Sequence, residues 1–210
     1  FMNKKIELFP NLATFLDNYE NNIVHFTTCN IGGVELTKNL SKSCEINNID
    51  LLFFAPDQHS LDEMSRHTTT INNIANNDFR LDICREIPAE HKVFGSEDFI
   101  SVAWMRYEIL KAIINSGRIA IYLDTDIVVR KNYEADILSY LQPSIGNEGV
   151  IQQNNKGFLC TGFFAFCPSA NNKLQEIYSE TFLSQNNYKD FGTGTLYDQD
   201  FFNKIICPTN

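Results

Sequence analysis

The stretch Arg118-Ile119-Ala120-Ile121-Tyr122-Leu123-Asp124-Thr125-Asp126-Ile127-Val128-Val129-Arg130 limits what this chain can fold into more than any other. Its apolar run at 119–123, largely β-branched or aromatic, reads as a buried central strand, so the two acids fall where the core meets solvent. Charge is costly there. Carboxylates one residue apart repel unless a cation neutralises them, and hard oxygen donors at this spacing suit a divalent metal, Mn2+ or Mg2+. The pattern alone is weak: roughly one D-x-D is expected by chance in a chain of this acid content, and Asp198-Gln199-Asp200 is a second. Context sets the first apart, with a strand before it, a strand-like run at 127–130 after it and an amphipathic helix upstream.

With 210 residues, 43% of them hydrophobic, the chain suffices for one sizeable core. A formal net charge of −9 argues against a nucleic-acid partner, because phosphate contacts need a basic face. A nucleotide held through a metal is compatible with it. No apolar run approaches the roughly 18 residues of a membrane span, and no basic segment followed by an apolar one marks a signal peptide. Cys29, Cys44, Cys84, Cys160, Cys167 and Cys207 form no C-x-x-C pair. They read as reduced, buried thiols, which implies a reducing compartment: the cytoplasm, or a host-cell cytosol.

The pattern divides into an N-terminal segment, 1–22, and one compact domain, 23–210. After Pro10, Leu12, Phe15, Leu16 and Tyr19 have helical spacing and predict a short helix over the sheet edge. Residues 23–26 predict the first strand and 27–33 the loop after it. Ligands of open α/β sheets bind outside the carboxyl ends of strands, so this loop is either a nucleotide contact or a plain turn of small residues. A helix over 34–48, a strand over 51–55 and a helix over 60–67 follow. Residues 68–77 read as loop or irregular helix, and 80–84 as a further strand. Alternating strands and helices imply a largely parallel sheet covered on both faces.

The helix ahead of the acids is the best marked, with Ser96 as N-cap, Glu97 and Asp98 in the first turn and Gly117 at its end. Its apolar face runs through Phe99, Val102, Ala103, Leu110, Ile113 and Ile114, and Arg106 lies on that face. An unpaired buried charge costs several kcal/mol. Arg106 therefore pairs with a core carboxylate such as Asp124, offers its planar fork to a phosphate or sugar oxygen, or does both. Downstream, a short helix at 135–141 stops before Pro143, and 149–153 is strand-like. In the apolar run 158–166, Gly162 marks either a bulge, a close ligand approach or a simple core strand. A helix starting at Ser169 or Asn171 comes next. Asp198 then opens a short apolar run, as an N-cap or as part of a site.

The D-x-D strand, the upstream helix with Arg106, the Thr161-Gly162-Phe163-Phe164 strand, and Asp198-Gln199-Asp200 followed by Asn203 occur in one order. This set resembles the retaining glycosyltransferases of the GT-A fold, the glycogenin and lipooligosaccharide galactosyltransferase group, and the related nucleotide-diphospho-sugar transferases. The likeness runs from about residue 23 to 206 and implies a single α/β, Rossmann-like GT-A domain. It implies that Asp124 and Asp126 hold Mn2+ or Mg2+ on the donor diphosphate, with Asp124 also near the ribose. Arg106 then matches the helix arginine that reaches the donor, and Thr28 and Asn30 match the first-loop contacts to base and ribose. Thr27, Thr125, Thr161 and Gly162 complete the nucleotide-sugar contacts. Asp198 matches the acid holding donor-sugar hydroxyls, and Gln199 the residue near the anomeric carbon. Arg106, Asp198 and Gln199 are thus the expected catalytic set. A UDP-sugar donor, a glycan or protein acceptor and retention of configuration are implied. Three departures stand out: Cys160 where the group often has Asn, Thr28 where it usually has an acid, and no histidine after the D-x-D to serve as a third metal ligand. Either fewer protein ligands hold the metal, or the chain is one domain of a longer protein.

Overall fold

A computed structural model of the chain describes residues 12–55, 58–66, 73–75, 106, 107, 109–172, 174, 199 and 203. In chain order the elements are α1 (Leu12–Asn18), β1 (Ile23–Thr28), α2 (Val34–Ile46), β2 (Leu51–Ala55), α3 (Gln58–Ser65) and β3 (Asn73–Ala75). Then come α4 (helical residues 106, 107 and 109–115), β4 (Ile119–Leu123), α5 (Glu134–Tyr140), β5 (Gly149–Gln153) and β6 (Leu159–Phe166). The strands form one sheet in the order β3-β2-β1-β4-β6-β5. The β3/β2, β2/β1 and β1/β4 pairings are parallel, whereas β4/β6 and β6/β5 are antiparallel. The β5–β6 hairpin closes through the side chain of Asn154, whose Oδ1 accepts from the Lys156 and Phe158 amides, with Gly157 at φ 87°.

Strand side chains alternate between faces, and the two faces take different helices. Val24, Phe26, Leu52, Phe54, Ala120, Tyr122, Phe164 and Phe166 share a core with Phe15 and Leu16 of α1 and Tyr107, Leu110 and Ile114 of α4. On the other face Leu51, Ile121, Leu123 and Ala165 meet Leu40 and Cys44 of α2 and Ile137 of α5. Phe53 and Ala55 pack there with Leu61 and Met64 of α3. Each such fully buried large side chain contributes about 1.5–3 kcal/mol. Burial on both faces is why β2 and β4 read as unbroken apolar runs.

α4 ends in a Schellman arrangement. Gly117, at φ 81°, donates to the Ile114 carbonyl and Arg118 to that of Ile113. The reversal feeds β4 directly. Beyond shifts of one or two residues at helix ends, the structure changes four of the sequence readings. β1 continues through Thr27 and Thr28, because both hydroxyl side chains are buried and their backbones pair with Phe53 and Phe54. Asn73–Ala75, read as loop, pairs with β2 as a short edge strand. Residues 127–130 are no strand: Val129 spends its backbone on α2, its N–H on Ser43 Oγ (3.0 Å) and its carbonyl on Asn47 Nδ2 (3.0 Å). α1 covers a face of the sheet and not its edge, since its apolar side joins the core of the central strands. The predicted strand at 80–84 and the Ser96 cap lie outside the described residues. No helix among the described residues is long and apolar enough to cross a membrane.

Candidate active site

β4 places Tyr122 and Asp124 two residues apart and so on one side of the sheet, the side that α4 covers. Two donors meet on one carboxylate oxygen. The Tyr122 hydroxyl donates to Asp124 Oδ1 at 2.7 Å, and Arg106 Nη1 donates to the same oxygen at 3.1 Å. Arg106 Nη2 donates to Thr161 Oγ1 at 3.0 Å. The guanidinium carbon lies 4.9 Å from the Tyr122 ring centroid and 5.5 Å from that of Tyr107, within cation–π range. Burial opposes the charge on Arg106, yet its neighbours Tyr107, Tyr122 and Asp124 outweigh burial and push its pKa up. Burial also pushes the Tyr107 phenol up to about 12 and the Tyr122 phenol above its usual value, so both are neutral near pH 7. The formal counter-charge to Arg106 in this cluster is therefore the carboxylate of Asp124.

With Oδ1 occupied, Asp124 Oδ2 takes no donor among the described residues and turns toward Gly162. A β-carbon at 162 would stand 3.0 Å from that oxygen. The backbone there is bulged: Ile151 pairs with Phe164 but the next residue, Gln152, pairs with Cys160, so Thr161, Gly162 and Phe163 face a single step of β5. The excursion serves β4. The Gly162 carbonyl accepts from the Asp124 amide at 2.7 Å, and Thr161 reaches Arg106.

From Asp124 the chain turns, Ile127 N–H bonding the Asp124 carbonyl at 3.1 Å. Thr125 is half-buried and Asp126 is exposed at the tip, with no side-chain partner among the described residues. The loop after β1 flanks this turn, since a β-carbon on Gly33 would lie 3.9 Å from Thr125 Oγ1. Thr28 bonds the Tyr122 hydroxyl. Asn30 is buried and closes the loop through its carbonyl to Gly33 N–H at 2.9 Å. Thr27 is buried on the opposite side of β1, and its hydroxyl has no hydrogen-bond partner among the described residues.

The fold thus brings Thr28, Arg106, Asp124, Thr161 and Gly162 into one cluster, with Thr125 and Asp126 on its rim and Thr27 facing away. Asp198 lies outside the described residues. Gln199 is helical and exposed, and the side chain of Asn203 ties its turn to β6. Tyr107 and Tyr122 carry interactions that the sequence reading did not assign. For Tyr122 the signal was present, because its spacing of two from Asp124 puts both on one face. Two carboxylates, one with an oxygen left open and one exposed, are hard donors of the kind that Mg2+ and Mn2+ take. Among the described residues no third histidine, cysteine or acid joins them.

A mostly parallel sheet, its central strand ending in two acids backed by a buried arginine, defines an α/β domain of the GT-A type. Its fold matches that of the glycosyltransferase GlyE of Streptococcus pneumoniae TIGR4 with a TM-score of 0.53 at 14% identity. That match covers 88% of this chain and 43% of GlyE, so the chain spans less than half of that protein's length. The chain belongs to the nucleotide-diphospho-sugar transferase family, whose sequence model matches residues 47–210. A search among curated proteins gives no match.

Proposed function

We propose that the chain transfers a sugar from a nucleotide-diphosphate sugar, a UDP-sugar in the first instance, to a glycan or protein acceptor with retention of configuration. The observation that carries this reading is the double donation to Asp124 Oδ1, which spends one oxygen inside the fold and leaves the other beside Gly162 with no donor among the described residues. Asp124 and Asp126 are the residues that would hold Mn2+ or Mg2+. Such an ion supplies neutralisation of charge on the departing diphosphate. In the reaction the bond from the anomeric carbon to the diphosphate oxygen breaks, the nucleoside diphosphate leaves with the electron pair, the acceptor hydroxyl oxygen bonds the same carbon, and the hydroxyl proton ends on the departing diphosphate.

The remaining roles belong to side chains. Arg106 fixes the Asp124 carboxylate and Thr161 with both terminal nitrogens, which makes it a positioning group for the acid in this arrangement. Thr28 and Asn30 flank the side from which base and ribose would enter. Gly162 keeps the space beside Asp124 Oδ2 open. Gln199 and Asp198 are assigned to the donor sugar by the resemblance. A cytosolic setting is part of the proposal, supported by the free thiols of Cys44, Cys160 and Cys167 among the described residues.

The test is calorimetry of UDP, GDP and UDP-sugars with and without Mn2+, followed by a donor-hydrolysis and transfer assay. The reading expects metal-dependent nucleotide binding and release of UDP from a UDP-sugar. Loss of any metal dependence would sink it, and binding without turnover would favour a silent nucleotide-sugar-binding domain.

A further inference from the structure

The β4-facing edge of β6 is paired only in part. β4 pairs with it as far as Leu123 opposite Phe163, and the Asp124 amide takes the Gly162 carbonyl; beyond that point β4 has turned away. Leu159 lies in this stretch, with the Asn203 side chain standing where a neighbouring strand would be. Asn203 Oδ1 accepts from Leu159 N–H at 2.7 Å, and Nδ2 donates to the Leu159 carbonyl at 2.9 Å. The N–H and C=O of one strand residue point to the same edge, so a single amide side chain reproduces both hydrogen bonds of a strand pair. The second Nδ2 hydrogen goes to the Gln199 carbonyl at 2.8 Å. The three bonds tie Asn203 to its own turn and to a strand residue 44 positions away.

We infer that Asn203 is a positioning residue: its amide stands in for a strand at the edge of β6 and sets the turn bearing Gln199 in register with Thr161, Gly162 and Asp124. This rests on the proposed function. The bulge at Thr161–Phe163 fixes the height of β6 against Asp124, and Asn203 refers Gln199 to that same strand only one residue before Cys160. A nucleotide held on the β1 and β4 loops does not need this lock, whereas chemistry at the donor sugar does. The lock should therefore act on turnover and not on nucleotide affinity.

Three variants separate the roles. Asn203→Ala removes all three bonds, Asn203→Asp keeps the acceptor but loses both donors, and Asn203→Gln keeps the amide one methylene further out. In the full chain, kcat for UDP-sugar turnover is expected to fall at least about 20-fold in the Ala and Asp variants, and by less in Gln. The Mn2+-dependent Kd for UDP should stay within about twofold. Amide hydrogen exchange at Leu159 should quicken in Ala and stay near the parent's rate in Asp, a readout that needs no activity and shows whether the lock exists. If Ala folds and turns over at the parent's rate, or if UDP affinity falls in step with kcat, the inference is overturned. A failure of Ala to fold leaves the Asp and Gln comparison to decide. A parent that binds no nucleotide overturns the proposed function together with this inference, whereas an active parent indifferent to Asn203 overturns the inference alone.

Discussion

Asp124 Oδ1 accepts from the Tyr122 hydroxyl at 2.7 Å while sharing that oxygen with the buried Arg106 guanidinium, which makes Asp124 structural on one side and available on the other. Asp126, two residues on, is exposed and unpaired among the described residues. The same substitution should therefore separate the two acids. Asp124→Asn removes the carboxylate that Arg106 Nη1 meets at 3.1 Å and is expected to cost about 2 kcal/mol, a charge-assisted hydrogen bond discounted because the Asp124 side chain is 41% exposed. Asp126→Asn should change stability by less than about 0.5 kcal/mol. Both should lose Mn2+-dependent UDP binding. Urea denaturation beside calorimetry checks this, and equal stability losses would contradict the assignment.

Gly162 offers a second test of the same carboxylate. A β-carbon there meets Asp124 Oδ2 at 3.0 Å, and that oxygen cannot swing aside freely while two donors pin its twin. Gly162→Ala should rotate the carboxylate at a stability cost of about 1 kcal/mol, within the usual range for overpacking. Metal-dependent UDP affinity is expected to fall about tenfold, with less effect on metal-free binding. Unchanged affinity with metal would mean that Asp124 Oδ2 is not the oxygen in use.

What the sequence made legible was whatever had a period or a distinct apolar run. The helical spacing through Leu110, Ile113 and Ile114 put Arg106 on the core face, and the short apolar runs at 51–55 and 119–123, without a period of their own, read as strands by their length and β-branched or aromatic content. Its pairing with Asp124 was one of two readings, and it is the contact observed. The excess of three residues in β6 was not legible, because a bulge depends on what the neighbouring strand does; Gly162 marked the place and not the size. Residues 127–130 misled for the reverse reason. An apolar run reads as a strand whether its backbone pairs with a sheet or with side chains, and here Ser43 and Asn47 take it.

That side-chain capture gives a third prediction. Asn47 Nδ2 donates to the Ser43 carbonyl at 2.8 Å and to that of Val129 at 3.0 Å, while Ser43 Oγ takes the Val129 N–H. Asn47→Ala should cost about 2 kcal/mol, two net hydrogen bonds. The Val129 amide should still be protected in Asn47→Ala but exchange faster in Ser43→Ala. Hydrogen exchange resolved by residue distinguishes the two, and protection lost equally in both variants would mean that the segment detaches as one piece.

The last prediction concerns acid. His25 sits in mid-strand on the α2 and α5 side, 2% exposed, with Tyr133 edge-on at a ring distance of 5.7 Å. Its Nε2 is 3.6 Å from Glu134 Oε1, too long for a hydrogen bond, and has no hydrogen-bond partner among the described residues. Burial pushes the imidazole down from 6.5 to about 4, so the ring is neutral at pH 7 and the approach to Glu134 is not an ion pair. The unfolded chain then binds more protons than the folded one between those two values, and stability must drop as pH falls through that window. The loss should reach about 2 kcal/mol at pH 5 and about 3 kcal/mol below pH 4, at about 1.4 kcal/mol per unit. His25→Phe keeps an edge-on ring against Tyr133 and removes the titration. Denaturation midpoints at pH 7.5 and pH 5 should therefore differ by about 2 kcal/mol less in His25→Phe than in the parent. An equal pH response in the two chains would show that Glu134 closes the gap and pairs with the imidazolium, cancelling the cost of burying it.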